Sequence, residues 1–388
     1  MPRLLALVMS MLVLGAALST PPAANAQEPF KLGAIFSITG PGSSLGIPER
    51  DTALMLEADI NAKGGVRGPD GKTHPLKIVI YDDASDETKA VLAAKKLIEE
   101  DKVIAIVGPT LSGTSLAILD TVQKAQVPLV SAAAASKIVE PASERKWVFK
   151  TPQSDALIVG ALVDHLKARN LTKVAWLNVD YAFGQLGWIE FEKAAKAANL
   201  TIVANEKFGQ KDVDMTPQLT RVKATSPQAV VVWSIPPSAS IATKNYADLG
   251  LKMPLFQSHG VGNKRFIELA GPAANGVAFP VGKLLVAEQL ADGDVQKPVL
   301  LQYAKEFEAK YGPRNTFGGH AWDAIWIAVK SIEKAGTDRA KVRDAIEGTK
   351  NFIGISGVFS FSPQDHNGLD RRAVTMVEIV DGQWKLAK

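Results

Sequence analysis

The sequence predicts an α/β protein of two lobes, each built on a mainly parallel sheet with helices on both faces. Three observations predict it. Short apolar runs alternate with amphipathic helical stretches. The alternation occurs twice along the chain. The 388 residues are too many for one ordinary core.

In the first series, Leu32–Phe36, Leu76–Tyr81, Val103–Val107 and Pro128–Ser131 read as buried strands, because each is a short, mostly apolar run of strand length. Glu87–Glu100 reads as a helix, with Val91, Ala94, Leu97 and Ile98 on one face and Lys95, Lys96, Glu99 and Glu100 opposite. An apolar helix, Leu116–Lys124, follows the third strand. Phe149-Lys150-Thr151-Pro152 is a strand end followed by proline and reads as a crossing between lobes. The second series contains Val174–Val179, Thr201–Asn205, Ala229–Trp233 and Leu255–Gln257. Within it, Thr216-Pro217 resembles an N-cap and an N1 proline opening a helix through Val222. The pattern breaks at Phe279-Pro280-Val281-Gly282, where the chain is expected to cross back. Helices follow at Pro298–Tyr311 and Ala321–Ala335. Gly357–Lys388 is hairpin-like, with turns at Ser362-Pro363 and Val380-Asp381-Gly382. Residues 27–149 with 281–355 are expected to form one lobe, and 150–280 with 356–388 the other, hinged over a cleft.

The N-terminus points outside the cytoplasm. Arg3 precedes an apolar run from Leu4 to Leu18, and Ala24-Asn25-Ala26 ends the stretch before Gln27. This is the layout of a secretory signal peptide over residues 1–26, with an A-x-A cleavage site. The run is shorter than the about 20 apolar residues a membrane span needs. The chain has no cysteine, which excludes a lipid anchor, disulfides, thiol catalysis and cysteine metal sites. Its five histidines share no H-x-x-x-H spacing, so no metal is expected. A net charge of +4, with both signs interleaved, leaves no nucleic-acid footprint.

Several motifs stand in order. Lys31-Leu32-Gly33-Ala34-Ile35-Phe36 leads into Thr39-Gly40-Pro41-Gly42-Ser43-Ser44-Leu45-Gly46, then Ala58-Asp59-Ile60-Asn61-Ala62-Lys63-Gly64-Gly65-Val66. Tyr81-Asp82-Asp83, Ile106-Val107-Gly108-Pro109 and Phe183-Gly184 follow. Together they resemble the periplasmic solute-binding proteins of ABC transporters, specifically the branched-chain amino-acid (Leu/Ile/Val-binding) group, over nearly the whole mature chain. The resemblance implies two Rossmann-like lobes joined by a three-strand hinge, the type I periplasmic binding protein fold. It implies capture of a small solute in the periplasm and delivery to a membrane permease of an ABC transporter. It implies no catalysis and no cofactor, and a monomer is the expectation.

The resemblance also implies a site. Ser112 aligns with the family's carboxylate-binding serine, at a helix start that offers free N–H groups and a partial positive charge; Ser112 or Thr114 could equally be the helix N-cap. Ala133 and Ala134 match two backbone positions that face the ligand, and Ser136 supplies the hydroxyl that Ala135 lacks, unless these small residues serve close packing. Phe183, Pro236, Leu45 and Phe317 match wall positions, each also compatible with ordinary core. The departure is His259, in Gln257-Ser258-His259-Gly260-Val261-Gly262-Asn263, where amino-acid binders of this group commonly carry an acid for the ligand's ammonium. A buried ammonium without a counter-charge is disfavoured, whereas histidine can donate to an oxygen; alternatively His259 caps its loop. The expected ligand is therefore an organic acid without an α-amino group, aromatic or α-keto, unless Asp180 or Glu49 replaces the missing acid. A branched-chain or other amino acid is the alternative. An exported hydrolase lacks support, since no G-x-S-x-G elbow occurs. A sensory ligand-binding protein would use the same lobes.

Overall fold

The computed structural model describes residues 27–387; the signal-peptide reading of residues 1–26 lies outside the described residues. The first lobe holds a five-stranded parallel sheet in the order β2-β1-β3-β4-β5. Its strands are β1 (Phe30–Phe36), β2 (Leu76–Asp82), β3 (Ala105–Val107), β4 (Leu129–Ser131) and β5 (Val148–Lys150). The second lobe holds seven strands in the order β12-β11-β10-β9-β8-β6-β7. These are β6 (Lys173–Val179), β7 (Thr201–Phe208), β8 (Ala229–Trp233), β9 (Leu255–Gln257), β10 (Ala278–Val281), β11 (Thr375–Val380) and β12 (Gln383–Leu386). All pairings there are parallel except β10–β11 and β11–β12.

Helices cover both faces of each sheet, which is why the central strands are apolar throughout instead of alternating. In the first lobe α1 (Ser43–Ala62) shares one face with two late helices, and α2 (Glu87–Glu99) and α3 (Ser112–Lys124) cover the other. In the second lobe α4 (Asp155–Ala168) and α5 (Ala182–Ala197) lie on one face. The opposite face carries α6 (Thr216–Ala224), α7 (Ser238–Asp248) and α8 (Lys264–Ala270). The chain then returns to the first lobe through α9 (Lys297–Tyr311), α10 (Thr316–Ala335) and α11 (Arg339–Glu347). Burying side chains such as Leu32 and Phe36 of β1 against Ala324 and Ile325 of α10 stabilises each by about 1.5–3 kcal/mol.

Local chemistry fixes the helix starts. Asp86 caps α2 by accepting from the Lys89 N–H at 2.9 Å, and Asn315 caps α10 by accepting from Phe317 N–H at 2.8 Å. Thr216 does not cap α6. Met215 stands at that position, and Asp214 takes the Thr216 N–H at 2.9 Å. Pro217 does sit in the first turn, as its preset φ suits it. The terminal hairpin turns at Asp381-Gly382, both in the left-handed region.

One boundary differs from the sequence expectation. Residues from 356 to about 373 were expected with the second lobe, but Phe359, Phe361, Leu369 and Ala373 pack in the first core beside Phe149 and Ala328. This stretch has almost no regular structure, so only tertiary packing assigns it. The chain passes between the sheets after β5, after β10 and before β11. The first crossing is tied to the stretch that leads into the third. The Gln153 side-chain amide donates to the carbonyls of Ser356 (2.5 Å) and Ala373 (3.3 Å), Thr151 Oγ1 to His320 O (2.9 Å) and Asn367 Nδ2 to Pro152 O (2.9 Å).

Candidate functional site

The lobes meet across the cleft. Leu45, Leu111 and Phe317 of the first lobe join Phe183, Trp233 and Ile235 of the second in one apolar cluster. Between them lies a small cavity of about 30 Å³, room for little more than a water molecule.

The first-lobe wall begins at the end of β3. Gly108 turns there with φ +85°, so that the following loop can reach α3. Ser112 is the first residue of α3 and is buried, at a helix start with no side-chain cap. The cap position is Leu111, with no side-chain cap, so neither Ser112 nor Thr114 is the N-cap; Thr114 Oγ1 instead donates back to Leu111 O at 3.1 Å. The free N–H groups of the first turn and the Ser112 hydroxyl therefore make an anion-receiving end. Thr110 and Ala132 also line this side. Thr110 is held from behind, donating its hydroxyl to Glu49 and accepting from Ser37 N–H at 2.9 Å.

The second-lobe wall is aromatic. Phe183 starts α5, with its ring centroid 5.5 Å from Trp233 and 5.6 Å from His259. Trp233 sits over Gly187, where a Cβ would lie 2.3 Å from the indole Nε1, so only glycine permits this approach. Tyr181 lines the cavity with a hydroxyl that has no partner. From the first lobe, Phe317 and His320 stand one turn apart on α10, and both reach the cavity.

Of the expected residues, Leu45, Ser112, Ala134, Phe183, His259 and Phe317 come together around the cavity. Three do not. Ala133 points into the first-lobe core, and its N–H is taken by Ser131 Oγ at 3.1 Å. Ser136 opens a short 3₁₀ turn and is buried away from the cavity. Pro236 lies in an outer groove between the lobes with Pro41, Ser43 and Arg265, and its neighbour Ile235 fills the wall instead. Thr110, Tyr181 and His320 had no place in the expected site. The available signals were position: Thr110 and Tyr181 each stand two residues before an expected contact, and His320 is three after Phe317.

Among the described residues, no carboxylate lines the cavity. Asp180 pairs with Lys207 at 3.6 Å, half-exposed. Glu49 lies buried beneath Thr110, its carboxyl pushed well up by burial. The two cavity histidines are neutral. Burial, then the nearby Lys150 charge, lowers His259 to about 3. Burial, then His259 and Lys150, lowers His320 to about 3. Lys150 is itself fully buried in the first crossing and donates to Pro152 O at 2.7 Å. Burial lowers it to about 7 and raises nearby Asp155 to about 7.

A pH dependence follows. Each histidine binds a proton in the unfolded chain near pH 6.5 but in the folded one only near 3. Its contribution is thus complete above pH 6.5 and is lost as pH falls through that window, by about 1.4 kcal/mol per unit. Urea unfolding of His259→Gln beside the parent at pH 7, 6 and 5 checks this. Between pH 7 and 5 the parent is expected to lose about 2 kcal/mol relative to the variant, most of it below pH 6, and parallel curves refute it.

Comparison with known proteins places this geometry. A family model described as periplasmic binding protein matches residues 29–383. A leucine-, isoleucine-, valine-, threonine- and alanine-binding protein of Pseudomonas aeruginosa is 26% identical over 324 residues, covering 83% of each chain. The crystal structure of an extracellular ligand-binding receptor from Rhodopseudomonas palustris superposes with TM-score 0.85 at 28% identity, covering 93% of this chain and 100% of that one. A branched-chain amino acid transporter substrate-binding protein from Streptococcus pneumoniae, in complex with isoleucine, shares the fold with TM-score 0.81 at 23% identity, covering 93% of this chain and 99% of that one.

Proposed function

The chain belongs to the periplasmic binding protein family, and from that premise we propose that it captures a small carboxylate with an apolar body in the interlobe cavity and delivers it to an ABC permease. The observation that carries the reading is the cavity itself, with the Ser112 hydroxyl and the uncapped start of α3 at one end and Leu45, Phe183, Ile235 and Phe317 around the rest. A solute held by both lobes favours the closed form through contacts that the open form lacks. The protein's role is binding and not catalysis, in the periplasm.

Two finer readings of the carboxylate have support. The names of the relatives favour a branched-chain amino acid. The lining favours an acid without an amino group, aromatic or α-keto, because no carboxylate stands ready to neutralise an ammonium. Isothermal titration with leucine, 4-methyl-2-oxopentanoate and phenylacetate separates them.

The carboxylate end has its own test. Ser112→Ala is expected to weaken binding roughly ten- to hundredfold, since a hydrogen bond to a charged group contributes about 1.5–3 kcal/mol. Thermal stability should hardly change, because the start of α3 has no side-chain cap to lose. Unchanged affinity removes Ser112 from the site.

A further inference from the structure

The start of α10 reaches across the cleft. Asn315 caps that helix and also donates its side-chain amide to Ser44 O at 3.3 Å, which ties the start to α1 of the first lobe. The next residue, Thr316, is buried and bonds to the other lobe. Its N–H and its Oγ1 both donate to the carbonyl oxygen of Gly262, at 3.3 and 3.1 Å. A carbonyl oxygen has two lone pairs and can take both. Gly262 follows β9 and the 3₁₀ turn His259–Val261 of the second lobe. Ser258 Oγ pins that turn, accepting from Gly260 N–H at 3.2 Å and donating to Ser234 O at 2.8 Å. Donors and acceptor are each held by their own lobe, so their meeting costs little further ordering.

The contact is close as well as polar. A Cβ on Gly262 would lie 2.7 Å from Thr316 Oγ1 and 3.2 Å from Thr316 Cγ2. The backbone does not call for glycine. Gly262 has φ −69° and ψ 43° and is spanned by a bond from Asn263 N–H to Val261 O at 2.7 Å, an inverse γ-turn open to other residues. The approach of Thr316 therefore accounts for the missing side chain. Neither residue lines the cavity; Phe317 and His320 reach it from one side, His259 and Gly260 from the other.

We propose that Thr316 and Gly262 form a latch that is made as the lobes shut and that strengthens the binding of every solute by one common factor, touching none of them. The helix α10 is rooted in the first core, and the 259 loop in the second through Val261 and Phe266, so opening the cleft parts the two. A contact made only in the shut form raises its population, and apparent affinity rises in proportion. The inference rests on the reading that a solute is gripped between closing lobes. It holds alike for leucine and for an acid without an amino group. Thr316 and Gly262 are positioning residues, acting through closure.

Titration calorimetry of the mature protein with leucine, 4-methyl-2-oxopentanoate and phenylacetate tests the energetic side. Thr316→Val keeps the shape and removes the hydroxyl. Each probe that binds the parent is expected to bind this variant about two- to tenfold more weakly, the effect of one hydrogen bond, and by the same factor. Gly262→Ala is expected to weaken binding further through the clash, and adding Thr316→Ala to it to recover part of the loss. Unchanged affinity in Thr316→Val, factors that differ between probes, or a double variant no tighter than Gly262→Ala overturns the latch. The geometric side needs no solute. The chain has no cysteine of its own, so Gly262→Cys with Thr316→Cys offers a single disulfide. Mild oxidation of that variant without solute is expected to form the bond and to lower the radius of gyration in small-angle scattering. No disulfide, or equal radii oxidised and reduced, overturns the latch, since the contact is then never made or outlasts opening. Binding of none of the three probes, with the disulfide formed and the molecule more compact, overturns the carboxylate reading and leaves the latch standing.

Discussion

Truncating Trp233 to alanine is expected to destabilise the protein by about 3–5 kcal/mol, the range for removing a buried large aromatic. The indole is fully buried. It stacks on Trp176 with centroids 5.3 Å apart, and it backs both Phe183 at 5.5 Å and His259 at 5.7 Å. The void would open directly behind the aromatic wall of the cavity. Solute affinity should therefore fall together with stability, because Phe183 and His259 lose the surface that holds them. Urea unfolding checks the first effect through a lower midpoint at unchanged slope; calorimetry checks the second. A cost below 1 kcal/mol would mean that the wall collapses without a cavity.

Gly108→Ala is expected to cost about 3 kcal/mol or more, from two sources. Its φ of +85° is strained for any side chain, at about 1–3 kcal/mol. An added Cβ would also lie 2.0 Å from the backbone oxygen of Ile35 on β1, which cannot swing aside, and such overpacking costs another 1–3 kcal/mol or so. The control is Gly71→Ala, where φ is +79° but nothing lies within 4 Å. That variant carries strain without a clash, so the difference between the two isolates the contact. Because residue 108 starts the loop to Ser112, displacement there should also weaken carboxylate binding. Equal unfolding midpoints for the two variants would refute the close approach.

How much of this was legible in the sequence depends on where each residue faces. The central strands were readable because helices cover both sheet faces, which turns β8 and β9 into unbroken apolar runs with the expected ends, Ala229–Trp233 and Leu255–Gln257. Helices α3 and α10 begin before the expected Leu116 and Ala321, at Ser112 and Thr316. Their first turns, Ser112-Gly113-Thr114-Ser115 and Thr316-Phe317-Gly318-Gly319-His320, lack the apolar repeat that marks a helix in sequence. They lack it because most of their small residues give close packing, Gly318 against Tyr303, Gly319 against Ile355 and Ser115 onto Ser131, while Ser112, Phe317 and His320 line the cavity. Of the expected pair Ala133 and Ala134, only Ala134 reaches the cavity, and Ile235 lines it where Pro236 was expected, since neighbouring residues in extended loops face opposite sides. His320 was invisible for a different reason. Only the long-range packing of α10 beside the 259 loop makes it a neighbour of His259.

The amide of Gln153 bridges two carbonyls that are 17 residues apart in sequence, at the two ends of the stretch that packs in the first core before β11. A single side chain thus acts as a rivet through the axle of the molecule. A change in the first passage between the lobes is therefore felt directly where the chain makes its last one, and neither can be redrawn in sequence without regard to the other.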